Sequence, residues 1–150
     1  MTILIHKPIG QTSTDTISLV KKDMGIQDLY PIDHLHEETE GLLILTENST
    51  SPTLPSEYEV IIDQYLSRQA QNMLPKGLVT SEQVIPGIEL IEEKHKGKRS
   101  VVHLKAARTT DTQLRTLFET IGYHVISIRR IRLGDFKLGV LSAGRWKKIN

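Results

Sequence analysis

Four consecutive apolar residues, Leu42-Leu43-Ile44-Leu45, constrain the fold most. A strand with one wet face alternates apolar and polar side chains, so an unbroken apolar run of this length is expected to be a strand buried on both sides. Such a strand needs covering layers, and the rest of the chain alternates strand-like and helix-like stretches. Residues 2–6 are a short β-rich run closed by a turn at Pro8 and Gly10. Residues 12–24 are expected to be a helix, with Ser and Thr available as caps, Ile17, Val20 and Met24 at helical spacing, and Gly25 at its end. Asn, Ser, Thr and two prolines make residues 47–55 a loop. Residues 57–62 alternate as a strand, 67–74 suit a short helix before Pro75, and 100–106 suit another strand.

The clearest single element is a helix over residues 111–121. Thr110 and Gln113 form a capping-box pair, Leu114, Leu117, Phe118 and Ile121 form an apolar stripe, and Gly122 is suited to the C-terminal end. Arg115 then falls near the first turn. Strands over 125–128 and around 138–141 follow, expected to present Arg129, Arg130, Arg132 and Lys137 along one edge. The run Lys94-His95-Lys96-Gly97-Lys98-Arg99 has the pattern of an exposed hairpin turn, either a solvated loop or a flexible phosphate clamp. It contains no interleaved aromatic residue, so stacking of single-stranded RNA is not indicated there.

A length of 150 residues suits one compact domain, or two closely joined lobes. The absence of cysteine excludes disulfides, thiolate chemistry and zinc–thiolate sites. The apolar runs are short and flanked by charge, so neither a leader nor a membrane span is expected and the protein is expected to be cytoplasmic. The net charge of +1 conceals an asymmetry. Residues 1–93 hold 5 Lys/Arg against 15 Asp/Glu, a difference of −10, and residues 94–150 hold 14 against 3, a difference of +11. A basic segment of this kind is the footprint of a phosphate-backbone surface, unless the two halves simply neutralise one another in the fold.

Asp33-His34-Leu35-His36-Glu37-Glu38-Thr39-Glu40-Gly41-Leu42-Leu43-Ile44-Leu45-Thr46 is similar to Gly-Arg-Leu-Asp-x-x-Thr-x-Gly-Leu-Leu-x-Leu-Thr, the catalytic segment of the pseudouridine synthases of the ribosomal RNA branch, the RsuA-like group. Ile5-His6-Lys7-Pro8-Ile9-Gly10 is similar to its opening Asn-Lys-Pro-x-Gly. Residues 122–134, with Leu138, Leu141, Gly144 and Trp146, resemble its C-terminal signature. The middle departs, since the family usually carries more residues between Thr46 and the strand at Tyr58.

The resemblance implies an α/β (α+β) fold with a mixed, largely antiparallel sheet and flanking helices, residues 1–150 forming a single domain without the family's separate N-terminal RNA-binding module. It implies RNA as partner, ribosomal RNA in particular, and no cofactor or membrane. In the family an aspartate acts on the uridine ribose, and the base is released, turned and rejoined through carbon, the target nucleotide being extruded from its stack. Here His36 stands at the aspartate position and His34 at that of the preceding arginine. An imidazole cannot reproduce a carboxylate's charge or its bidentate pairing with arginine. Tyr58 matches the base-stacking tyrosine, the lysine two residues before it being Ser56, although a half-buried strand tyrosine would read the same way. Arg115 matches the basic partner of the aspartate, with only Gln113 surviving from the tract before it. Lys7, Arg129, Arg130, Arg132 and Lys137 are the candidate RNA contacts.

The resulting expectation is an RNA-binding relative of these enzymes that has lost isomerase activity. The alternatives are a working uridine isomerase with an unorthodox site and a protein-interaction scaffold built on the opposed charges. Asp33, His34, His36 and Glu37 also form a dense set of metal-ligand types. No second ligand pair of matching spacing exists, so no metal site is expected.

Overall fold

The computed structural model describes residues 1–49 and 54–149. In chain order the elements are β1 (Thr2–Lys7), α1 (Ser13–Met24), β2 (Tyr30–Ile32), β3 (Thr39–Thr46), β4 (Ser56–Ile62), α2 (Arg68–Met73), a single 3₁₀ turn at Leu74–Lys76, β5 (Leu78–Val79), β6 (Val84–Ile85), β7 (Glu89–Lys96), β8 (Arg99–Ala106), α3 (Asp111–Thr120), β9 (Val125–Leu133), β10 (Phe136–Lys137) and β11 (Trp146–Ile149). The chain divides into two compact units, Met1–Leu54 with Arg129–Asn150, and Pro55–Ile128. The class is α+β with a largely antiparallel sheet, as the sequence implied.

In the first unit the strand order is β11-β1-β3-β9, with β2 added to β3 and β10 to β9. β1 and β3 are antiparallel, with Leu4 opposite Ile44 and Ile5 opposite Leu43. The apolar run has the two covered faces that its composition demanded. Leu43 and Leu45 pack with Ile3, Ile5, Leu29 and the Ile17 and Val20 stripe of α1. Leu42 and Ile44 pack on the other side with Leu4, Leu133 and Leu138. α1 starts where the Thr12 side chain accepts the Asp15 N–H, and stops at Gly25, whose φ of 67° is the left-handed conformation that glycine adopts without a Cβ penalty.

In the second unit β8 lies between β4 and β7. β4 alternates as its sequence does, with Tyr58, Val60 and Ile62 inward, and they meet Val102, Leu104 and Ala106 of β8 and the Leu114, Leu117 and Phe118 stripe of α3 in one core. The capping box at α3 is complete, Thr110 Oγ1 accepting the Gln113 N–H at 3.2 Å and Gln113 Oε1 accepting the Thr110 N–H at 3.0 Å. Thr110→Ala is expected to lower stability by about 1 kcal/mol, because one exposed N–H of the first turn loses its acceptor. The measurement is the denaturant midpoint at unchanged slope; an unmoved midpoint would mean that Gln113 alone secures the helix start.

Two expectations fail. Residues 138–141 form a turn rather than a strand, closed by the Leu141 N–H on the Leu138 carbonyl at 3.2 Å. The strand that follows β9 and pairs with it is the two-residue β10, just before this turn, and Leu138 packs with Leu42, Ile44 and Leu133 in the core. β9 itself runs five residues past the expected end at 128, to Leu133. Of the loop expected over 47–55, residues 50–53 lie outside the described residues.

Candidate functional site

The segment between β2 and β3, residues 33–38, is held almost entirely through its main chain. Asp33 has a φ of 60°, a left-handed conformation that aspartate tolerates better than most residues, and its carbonyl accepts from Arg130 Nη2 at 2.8 Å. Leu35, itself buried, has its N–H and its carbonyl both bonded to the Ser13 hydroxyl at 3.1 and 2.9 Å. The Glu37 carbonyl accepts from Lys7 Nζ at 3.2 Å and from the Gly10 N–H at 2.9 Å. The His36 carbonyl accepts the Thr39 N–H at 3.0 Å, which closes the turn into β3.

Lys7 and Arg130 anchor this arrangement from inside the unit, at 0% and 1% exposure. Lys7 Nζ also donates to the Pro8 carbonyl at 2.9 Å, and Arg130 Nε to the Leu42 carbonyl at 2.9 Å. Charged donors on neutral carbonyls make hydrogen bonds stronger than those between two neutral groups. Strand alternation explains why the sequence delivers them here. Arg130 is the inward residue beside the outward Arg129, and Lys7 ends β1 immediately before a proline that cannot extend the ladder.

On this clamped backbone His34, His36, Glu37 and Glu38 are exposed. His36 Nδ1 accepts the Glu38 N–H at 3.2 Å, a short-range bond of the kind a turn-forming Asp or Asn side chain makes. In a neutral imidazole a nitrogen that accepts leaves the proton on the other, so Nε2 is an N–H donor in this geometry. Among the described residues no three His, Asp or Glu side chains group closely enough to hold a metal ion.

The other candidate residues divide between surface and interior. Tyr58 is 2% exposed and belongs to the core of the second unit, deeper than the half-buried position its strand pattern suggested. In that unit Arg115 is half-buried and its Nη1 donates to the Val125 carbonyl at 3.4 Å. In the first unit Arg129 is exposed and pairs with Glu40 at 3.4 Å, while the other Glu40 oxygen meets His6 Nε2 at 3.3 Å. Arg132 is half-buried with its Nε on the Gly134 carbonyl at 2.9 Å, and Lys137 is exposed. The expected single basic edge is therefore corrected: Arg130 turns inward, and Lys7 is likewise an internal anchor. Their donors serve main-chain carbonyls and are not presented to a surface ligand.

The charge asymmetry along the chain largely disappears in the folded units. Met1–Leu54 with Arg129–Asn150 holds 10 Lys/Arg and 9 Asp/Glu, and Pro55–Ile128 holds 9 of each. Each unit combines an acidic stretch from one part of the sequence with a basic stretch from another. The exposed cations of the first unit include Arg145, Lys147 and Lys148, around and along β11, which were not singled out from sequence. Their signal was the density of charge at residues 145–148, which carries no information about which face it will occupy.

This fold is that of the pseudouridine synthases. A crystal structure of a pseudouridylate synthase superposes with a TM-score of 0.82 over 99% of this chain and 70% of that one, at 20% identity. The structure of an H/ACA RNP bound to a substrate RNA containing 2′-deoxyuridine is similar at a TM-score of 0.70, over 91% of this chain and 48% of that one, at 20% identity.

Sequence relatives point the same way. An uncharacterized RNA pseudouridine synthase of Aquifex aeolicus (strain VF5) is 23% identical, covering 100% of this chain and 62% of the relative. The ribosomal large subunit pseudouridine synthase B of Bacillus subtilis (strain 168) is 29% identical, covering 97% of this chain and 66% of the relative. The chain thus spans about two thirds of the length of these relatives. No family model matches it.

Proposed function

We propose that this chain binds RNA, ribosomal RNA in the first instance, and does not isomerise uridine. The relatives' names motivate the partner, and the geometry of His36 carries the second half. By the sequence resemblance, His36 stands where the family places its aspartate. The segment that would present a catalytic carboxylate is fully clamped, yet its tip offers an imidazole. The imidazole's Nδ1 accepts the Glu38 N–H of its own turn, and in the neutral ring that leaves the proton on Nε2. A donor in that position can bind a ribose or phosphate oxygen. It lacks the negative charge and the available lone pair with which a carboxylate acts as base or nucleophile.

The test is release of tritium from ribosomal RNA labelled at uridine C5, the atom through which the base would rejoin the ribose. The unmodified protein is expected to retain the RNA at low salt and release no tritium, and His36→Asp is the variant that could restore release. Tritium released by the unmodified protein would overturn this function in favour of an active isomerase, the reading that the relatives' names support. Absence of salt-dependent RNA binding would instead favour a protein-interaction role.

A further inference from the structure

We infer that the β7–β8 hairpin and the loop after β4 form a stacking platform for a single-stranded nucleobase, with the basic hairpin tip as its phosphate contact. This rests on the RNA-binding function proposed above and gives it a location in the second unit. The hairpin sequence has no Phe, Tyr or Trp of its own, but the fold brings a tyrosine to it. Tyr65 lies flat on His95, the ring centroids 3.7 Å apart and the planes 5° from parallel. Tyr65 is 45% exposed and the His95 side chain 52%, so each ring keeps solvent-facing surface beyond the shared contact.

The pair is built in. The Tyr65 hydroxyl donates to the Gly97 carbonyl at the hairpin turn. Glu93 Oε2 then ties the loop to the hairpin, accepting the Leu66 N–H at 2.9 Å and the Ser100 hydroxyl, with His95 Nε2 at 3.4 Å. That carboxylate is engaged in holding the platform together, and both rings are ordered before any ligand arrives. A base added to the pile therefore gains stacking with little further loss of side-chain freedom.

The cations complete the chemistry. Register places His95 opposite Ser100 and Lys96 opposite Arg99, with Gly97 and Lys98 as the two-residue turn. Alternation sends Lys94 and Lys96 to the face away from His95. Arg99, opposite Lys96, shares that face; a strand stacked on the rings thus meets Lys98 at the tip, while Lys94, Lys96 and Arg99 add to the same positive field. All four are exposed, and residues 94–99 contain no acid. Base-tolerant stacking beside a cationic edge is how proteins hold single-stranded nucleic acid without reading its sequence.

The experiment titrates the whole chain with a fluorescein-labelled oligouridylate and with an abasic ribose-phosphate strand of equal length, over a range of salt. Tyr65→Ala is expected to weaken oligouridylate binding about tenfold without changing the salt slope. It should leave the abasic strand unaffected, and Tyr65→Phe should retain binding. Lys98→Glu should reduce the slope by about one. If the unmodified protein binds and these variants bind equally well, the platform is overturned while RNA binding stands. Equal weakening on both strands by Tyr65→Ala would overturn stacking, because the ring's effect would then be structural. No binding by the unmodified protein to oligouridylate or ribosomal RNA would overturn both proposals.

Discussion

Gly41→Ala is expected to destabilise the first unit by about 3 kcal/mol or more, through a backbone collision joined to a dihedral penalty. A Cβ at this position would stand 2.3 Å from the Arg130 carbonyl oxygen and 2.6 Å from its nitrogen, and Gly41 has a φ of 120°. Neither neighbour is the flexible end of a side chain, so β3 and β9 would have to separate. The same movement would pull on Lys7, which Gly41 faces in the β1–β3 ladder. Against a total stability of roughly 5 to 15 kcal/mol, the variant should show a large fall in denaturant midpoint or fail to accumulate as a folded protein. A midpoint within about 0.5 kcal/mol of the unmodified protein would mean that the close approach of the two strands is not needed.

Arg130→Met is expected to cost about 3 to 5 kcal/mol, because it removes a buried charged donor and leaves the buried carbonyl of Leu42 and the part-buried carbonyl of Asp33 without it. Methionine preserves much of the volume, so the loss reports hydrogen bonding more than cavity formation. Arg130→Lys should recover only part of the stability, since a single ammonium cannot reproduce a forked donor reaching two carbonyls. Hydrogen exchange offers the second readout: the Thr39 and Gly10 amides, bonded to the clamped loop, should exchange faster in Arg130→Met. The salt slope of RNA binding should not change, because a side chain 1% exposed neutralises no phosphate. Exchange that stays slow in a folded Arg130→Met variant would show that Ser13 and Lys7 hold the loop without it.

Much of the fold was legible because local chemistry and tertiary demand agree. The Leu42–Leu45 run reads as doubly buried and is so, since no arrangement short of two covering layers satisfies four successive apolar side chains. The capping boundaries at Thr110 and at Thr12 with Gly25 follow from short-range hydrogen bonds that need nothing distant. Residues 138–141 were misread for the opposite reason: their apolar spacing serves a turn plugging the core at Leu138, a long-range requirement that resembles a strand when viewed locally.

The candidate site was legible only as a list of residues. Sequence marks the segment from His34 to Thr46, the KP pair at Lys7 and Pro8, and the arginines of β9 as belonging to a recognisable pattern. It does not show that Lys7 and Arg130 are spent on the backbone of that segment while Arg129 pairs with Glu40. A strand's period of two sends adjacent arginines to opposite faces, but only the neighbouring strands decide which face is interior.

The sequence by itself determined the buried run of β3, the capped boundaries of α1 and α3 and the class of fold, because each depends on residue identity and short-range spacing. Tertiary structure alone decided which charges meet and which rings stack. The chain's acidic and basic stretches cancel within each unit only because distant segments are paired there, and Tyr65 reaches His95 across thirty positions through the fold of one sheet.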